Sequence, residues 1–176
     1  MNLYLRLIRI IFKMLFAEKA HPLETSKLCF RAWPHDCDIN LHMTNARYLA
    51  LMDLGRTFLI GQMGLLSKIF KRKWLPVVSS IEISYFREIK PFQKFQVHTL
   101  LLDWDDKYWY IGQKFFYKET LLASAMVRGI FMKDRRKIAF PHVVELVDAH
   151  IKKPTTPDPV YAWKNLLEEK KKSTSS

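Results

Sequence analysis

Asp36, Asp38, His42 and Asn45 fall within ten residues of one another, in the run HDCDINLHMTN. A carboxylate in such a cluster has two uses at a carbonyl: it deprotonates water, or it attacks the carbon itself. A helix that starts at Asn45 adds outward-pointing backbone N–H groups with partial positive charge. A carbonyl placed there is polarised, and the oxyanion that develops on it is stabilised. The plainer reading of the same residues is that Asp and Asn before a helix cap it and form its turn. Other polar residues have ordinary readings. Asp53 and Arg56, three apart on a helix, read as a surface ion pair or a pocket or interface pair. Glu82 and Arg87 read as cross-strand partners, and His98 as a strand histidine. Arg128 follows Ala123, Ser124 and Ala125, small residues that let a helix or ligand approach closely. Cys37 sits between two aspartates, whose charge disfavours its thiolate.

The elements that must position these residues follow from periodicity. SKLCFRAWPH (26–35) alternates loosely and carries aromatics, as a first strand does. From Asn45 the run NARYLALMDLGRTFLIGQMGLL is helical, with Thr44 or Asn45 as its cap and Gly61 and Gly64 marking its end. A basic loop, KIFKRKW, closes at Pro76. Residues 77–89, 95–104, 108–118 and 120–134 read as four consecutive strands on short connections, an antiparallel meander with KPFQ, DDK and DRRK as turns. The long helix must lie across one sheet face to bury its apolar stripe. Beyond Pro154 a short helix from Tyr161 to Lys170 is expected within a poorly ordered, solvated tail.

The chain has 176 residues, 49% hydrophobic and 14% aromatic, with a formal net charge of +12. One domain with a real core fits that size, and disordered or low-complexity classes are excluded. Two cysteines, Cys29 and Cys37, exclude a disulfide-stapled fold and a four-Cys zinc site. No His/Cys/Asp grouping has metal-ligand spacing, no glycine-rich phosphate loop occurs, and neither metal nor cofactor is expected. The aromatics sit in strands that supply a core rather than interleave with cations, which argues against nucleic acid. Residues 1–16 are apolar apart from Asn2, Arg6, Arg9 and Lys13, and those cations share one helical stripe. The run is too short and too interrupted to span a bilayer, and its cations lie inside the apolar stretch, unlike a secretory signal. An interfacial helix on an anionic membrane, a terminal helix packed on its own domain or a partner subunit, and a mitochondrial targeting helix all remain open. The localisation expected is cytoplasmic, with peripheral membrane contact through this segment.

HDCDINLHMTNARYL resembles the motif of the 4-hydroxybenzoyl-CoA thioesterase branch of the hotdog superfamily, D-x-D-x-x-G-H-x-N-N-x-x-Y. Asp36, Asp38, His42, Asn45 and Tyr48 match in order and spacing, and the element order agrees over residues 26–147. NARYLALMDLGR and KPFQKFQVHTLLLDWDDKYWYIGQKF are similar, more narrowly, to the thioesterase-superfamily-member-6-type group. Leu41 stands where the motif has glycine, and Thr44 replaces its first asparagine.

The resemblance implies an α+β hotdog fold: a curved antiparallel sheet of about five strands wrapped around one long helix. An amphipathic segment (1–20) precedes that domain, and a polar tail (148–176) follows it. It also implies hydrolysis of an acyl-CoA thioester, with coenzyme A entering only as part of the substrate, in a homodimer whose acyl site lies where two subunits meet. Asp38 carries over as the catalytic base or nucleophile, the backbone N–H near Asn45 as the oxyanion donor, and His42 as a group that shapes the pocket or assists water. Tyr48, Leu41, Thr44 and Arg128 are the substrate-binding candidates. Lys68, Lys71, Arg72 and Lys73, or Arg135, Arg136 and Lys137, are candidate attractors for the nucleotide phosphates. Two other readings use the same residues. One is a non-catalytic acyl-CoA or lipid binder. The other is a hotdog enoyl-CoA hydratase, whose D-x-N-P-x-H turn Asp38-Ile39-Asn40-Leu41-His42 approximates, one residue short and without the proline. The hydrolase reading requires the Asp38 carboxylate to stand within reach of a carbonyl at the helix entrance.

Overall fold

A computed structural model describes residues 3–148 and 150–174. Five long strands, β1 (Ser26–Arg31), β2 (Leu75–Tyr85), β3 (Lys94–Trp104), β4 (Trp109–Tyr117) and β5 (Thr120–Lys133), form an antiparallel sheet in the order β1-β3-β4-β5-β2. A short sixth, β6 (Arg136–Ile138), pairs with the end of β5. The DRRK segment is the tight turn between them: Asp134 and Arg135 both have positive φ, at 47° and 64°, the backbone of a primed hairpin turn.

The simple four-strand meander is corrected. β3, β4 and β5 follow one another in space, but β2 pairs with β5 on the far edge, Leu75 opposite Met132 and Tyr85 opposite Ala123. KPFQ is therefore no hairpin turn. Residues 86–93 carry the chain across the sheet from the β2 edge to β3, beside the opposite edge strand β1, tied to Leu122 O at one end and to Ala32 at the other. On the way Ile89 O accepts the N–H of Met43, so the crossing braces the loop before the long helix.

That helix, α2 (Asn45–Gln62), lies against one sheet face with Leu51, Met52, Phe58 and Leu59 fully buried. It sits close because residue 55 is glycine: a Cβ there would come within 2.9 Å of Gln113 Nε2 and Thr99 Oγ1. α2 ends where Gly64 turns left-handed at φ +68° and Leu65 N–H bonds back to Ile60 O. The basic run read as a loop is a further helix, α3 (Leu66–Arg72), held by the burial of Ile69. After β6, α4 (Phe140–Glu145) packs Phe140 against Phe131 and Trp104.

The N-terminal helix, α1 (Leu3–Leu15), packs on α2 through Leu3, Leu7, Ile10 and Met14. Of the stripe Arg6, Arg9 and Lys13, Arg6 points inward and is 2% exposed. Leu5, Ile8, Phe12, Leu15 and Phe16 are exposed on the opposite side, so α1 is apolar on two faces. No single helix among the described residues is long and apolar enough to cross a membrane. The C-terminal segment is also better ordered than its composition suggests. Its helix α5 (Asp158–Thr174) buries Val160, Trp163 and Leu167, a stripe at i, i+3 and i+7. They pack on Tyr110, Leu102 and Met126, on the sheet face opposite α2.

Candidate active site

The segment between β1 and α2 folds into a narrow two-sided loop. Cys37 bridges Met43, Asp38 N–H bonds to His42 O at 2.9 Å, and Thr44 N–H bonds to Asp36 O at 3.0 Å. Asp38 closes the tip with its side chain: Oδ1 accepts the N–H groups of Asn40 (2.9 Å) and His42 (3.2 Å). Both bonds fall on one oxygen. Oδ2 has no partner among the described residues, and the side chain is exposed. Leu41 shows why glycine is favoured at its position in the motif. Its φ is +58°, a region that costs an L-residue roughly 1–2 kcal/mol.

At the helix entrance Thr44 is the N-cap, but its hydroxyl makes no capping bond. Its carbonyl accepts the N–H groups of Arg47 and Tyr48. The amides of Asn45 and Ala46, in the first turn, are left for an acceptor from outside. Asp38 stands near the tip of this short ladder, and the two amides lie just past its base, where α2 begins.

The first aspartate of the pair does different work. Asp36 is 0% exposed. Arg6 of α1 bonds to its Oδ2, Arg47 Nε lies 2.8 Å from its Oδ1, and Trp33 N–H donates to Oδ2 at 2.9 Å. Arg6 also reaches Arg31 O at 3.3 Å. One buried carboxylate therefore pins the loop to β1, to α2 and to the N-terminal helix. Cys37, beside it, points its thiol at Trp33 O (3.6 Å). Burial first, and then the charges of Asp36 and Asp38, push that thiol above its ordinary pKa.

The remaining sequence candidates are dispersed. His42, exposed, lies opposite Asp38 in the loop, and Asn45, also exposed, lies at the start of α2. Tyr48 is in the core, its ring 4.9 Å from that of Tyr85 and 5.0 Å from that of Phe115, and burial raises its pKa. Arg128 is not brought to the loop. It lies on the outer sheet face, its guanidinium 4.3 Å above the Tyr108 ring and its Nε 3.2 Å from Ser79 Oγ. Of the basic residues, Lys68 is occupied by Leu146 O, and Arg72 lies over Trp74.

A cavity of about 270 Å³ opens between the second half of α2 and the sheet. It is walled chiefly by apolar side chains, among them Leu59, Met63, Leu101, Ile111 and Phe131, with Asp53, Arg56 and Thr57 from α2. Asp38 does not line it, so within one chain the free carboxylate and the apolar cavity stand apart. Asp53 and Arg56 are more than a surface pair. Arg56 is 6% exposed, and NH1 donates to Gln113 Oε1 at 2.7 Å while NH2 bonds to Asp53. Gln113 in turn donates to Met52 O and Thr99 Oγ1. The signal for this was present: Arg56 lies on the stripe Met52-Arg56-Leu59-Met63, which α2 turns to the core.

A curved antiparallel sheet around one central helix, with a carboxylate-bearing loop at that helix's start, defines a hotdog domain of the thioesterase type. The chain belongs to the thioesterase-like superfamily, whose family model matches residues 32–163. It is 32% identical over 119 residues to the probable thioesterase YBR096W of Saccharomyces cerevisiae, covering 62% of this chain and 49% of that one. It is 28% identical over 172 residues to Protein THEM6 of Drosophila melanogaster, covering 95% of this chain and 86% of that one. The chain thus spans about half the length of the yeast relative and most of the fly relative. Among solved structures, the hypothetical protein SAV2348 from Staphylococcus aureus, in complex with CoA, superposes with a TM-score of 0.63 at 20% identity, over 79% of this chain and 93% of that one.

Proposed function

We propose that this protein hydrolyses an acyl-CoA thioester to the free acid and CoA, with Asp38 as the reacting carboxylate. The observation that carries the reading is the division of labour within the loop: Asp38 Oδ1 holds the turn, Oδ2 has no partner among the described residues, and the Asn45 and Ala46 amides stand in the first turn of α2, where N–H groups have no intrahelical acceptor. The thioester carbonyl accepts from those amides. Asp38 takes a proton from water as the hydroxide oxygen bonds to the carbonyl carbon. When the tetrahedral oxyanion collapses, the C–S bond breaks and the thiolate takes the proton back. In the nucleophilic variant Oδ2 bonds to the carbon first, CoA thiolate leaves, and water cleaves the resulting anhydride. No cofactor enters either route. The exposed residues Lys71, Lys73 and Arg136 suit the phosphates of the nucleotide end.

A second copy of the chain completes the site in this reading. β2 is an 11-residue edge strand with Leu75, Val77 and Val78 exposed, and a long bare edge of that kind is a template for pairing. Two of the cavity's walls, Pro76 and Val78, come from that strand, so a partner along it stands at the cavity mouth. The outer apolar face of α1, flanked by Arg9 and Lys13 and without acidic residues, suits the surface of an anionic membrane. The distance of Asp38 from the cavity within one chain favours one rival, an acyl-CoA binder without turnover.

Thiol release from a panel of acyl-CoAs separates the two. Wild-type turnover that Asp38→Asn lowers by at least about 100-fold supports the hydrolase. Binding without release supports the rival, and release unaffected by the substitution removes Asp38 from the site.

A further inference from the structure

A second cavity, of about 230 Å³, lies between α1 and the edge strand β1. Arg6, Arg9 and Lys13 line it from α1 and Arg31 from β1, with Phe30 and Trp33 among its apolar walls. No acidic residue among the described residues lines it. Arg6 is taken up by Asp36 and by Arg31 O. Arg9, Lys13 and Arg31 are exposed, and none of them has an ion-pair partner among the described residues. Lys13 rests 5.5 Å from the centroid of the Phe58 ring. Three uncompensated cations around one groove attract an anion, and guanidinium groups match phosphate oxygens two at a time.

The surroundings of the groove narrow the choice of phosphate. Round the helix, exposed Leu5, Phe12 and Phe16 stand on one side of Arg9 and Lys13, and Leu3 and Ile10, packed into the domain, on the other. The two cations therefore lie on the seam where a bare apolar face meets the protein. A helix sunk into a leaflet as far as that seam keeps such cations at headgroup depth. On the β1 side Phe92, 56% exposed, stands edge-on to Trp33 with ring centroids 6.0 Å apart, which adds a bare aromatic beside the groove.

We infer that this groove binds the phosphate of an anionic phospholipid while the outer face of α1 enters the leaflet beside it. The nucleotide end of CoA also carries phosphates, but it brings no hydrocarbon to cover α1. A lipid surface meets both features at once. This inference rests on the membrane reading of α1 above and names the site and the ligand class within it.

The test is sedimentation of the full chain with phosphatidylcholine vesicles, made with and without phosphatidylglycerol. Binding is tighter to the mixed vesicles. Arg9→Gln or Arg31→Gln weakens it about 5-fold, the worth of one cation beside an anionic leaflet. Lys170→Gln, which removes the same charge from an exposed position on α5, weakens it by less than about 2-fold. Arg31 decides the matter, because it lies on β1 and a helix that merely adsorbs does not use it. An Arg31→Gln chain that binds like the wild type overturns the groove and leaves the membrane reading of α1 standing. A wild type that binds neither vesicle removes both. Equal losses in Lys170→Gln and Arg31→Gln reduce the attraction to net charge and overturn the inference. Binding that survives Phe12→Asp overturns it too, and so does binding that free CoA displaces, which assigns the groove to the nucleotide. A second measurement needs no variant: dihexanoyl-phosphatidylglycerol, added as a soluble monomer to the ¹⁵N-labelled wild type, shifts the amides of Arg9, Lys13, Cys29 and Arg31. Dihexanoyl-phosphatidylcholine does not, and an equal response to both lipids, or none to either, overturns the inference. Vesicle binding is read without acyl-CoA and thiol release without vesicles, so the hydrolase reading stands or falls on its own assay.

Discussion

Replacing Arg6 by Met removes one arm of the clamp on the loop between β1 and α2, and the structure sets the size of the effect. Both partners are out of solvent, Arg6 at 2% and Asp36 at 0% exposure. Removing one member of such a pair strands the other charge, at a usual cost of ~3–5 kcal/mol. Arg47 still stands 2.8 Å from the other carboxylate oxygen, and Trp33 N–H still donates, which places the loss at the lower end, ~3 kcal/mol. For a domain of this size that is a fall in Tm of about 6–12 °C. Urea unfolding gives the free energy, and the double-mutant cycle with Asp36→Asn gives the coupling. Removing the stranded charge in the Arg6→Met background recovers ~2 kcal/mol, well outside additivity. Hydrogen exchange adds the local result: amides of residues 37–44 lose protection while those of β3 and β4 keep theirs. A loss below about 1 kcal/mol, the size of a surface pair, or strictly additive single variants, would refute the clamp.

Other outcomes follow from single features. Gly55→Ala forces a Cβ to within 2.9 Å of Gln113 and Thr99 and costs about 1–3 kcal/mol by urea denaturation; a neutral result would mean that α2 has room to shift. Leu41→Gly relieves a left-handed backbone at φ +58°. The entropy that glycine loses offsets part of that relief, and the net change is zero to about 1 kcal/mol of stabilisation by the same measurement. Burial alone would raise the Asp103 pKa, but bonds from Lys164, Thr156 and Lys153, with the charge of Lys164, outweigh it and hold it below its ordinary value of 3.8. The stability it contributes is therefore present above that pH and lost as pH falls through the depressed pKa. The α5 contact, followed by Trp163 fluorescence, loosens only in that acid range, and Asp103→Asn loosens it at neutral pH. A limiting thiol reagent at neutral pH modifies Cys29, which is exposed, well before Cys37, whose thiol is partly buried and pushed up in pKa; mass spectrometry of the labelled peptides checks the order.

Much of the fold was legible because its signals are local. The alternation of β3 through β5, the caps and glycines around α2 and the spacing from Asp36 to Tyr48 all act over a few residues. Strand order was not legible in the same way. Alternation in 77–89 says that β2 is a strand but not which edge it joins, because that choice is made by contacts some forty residues away, such as Ile83 opposite Ala125. Two charged residues left alternatives open for one reason. The spacing of Arg6 and Arg56 fits an outward cation as well as an inward one, yet each lies on an apolar stripe that its helix buries. An arginine on such a stripe has a partner inside, here Asp36 and Gln113. In the loop, sequence spacing could not separate an aspartate that anchors from one that is free. That distinction depends on which side of the narrow ladder meets α1.

With α2 on one face of the sheet and α5 on the other, Tyr110 and Met126 are already roofed by Trp163. Two such molecules cannot stack back to back over that patch unless the C-terminal helix first peels away. Growth into larger assemblies is thereby steered towards the rim of the sheet, and shortening the chain before Asp158 would bare an aromatic surface prone to self-adhesion.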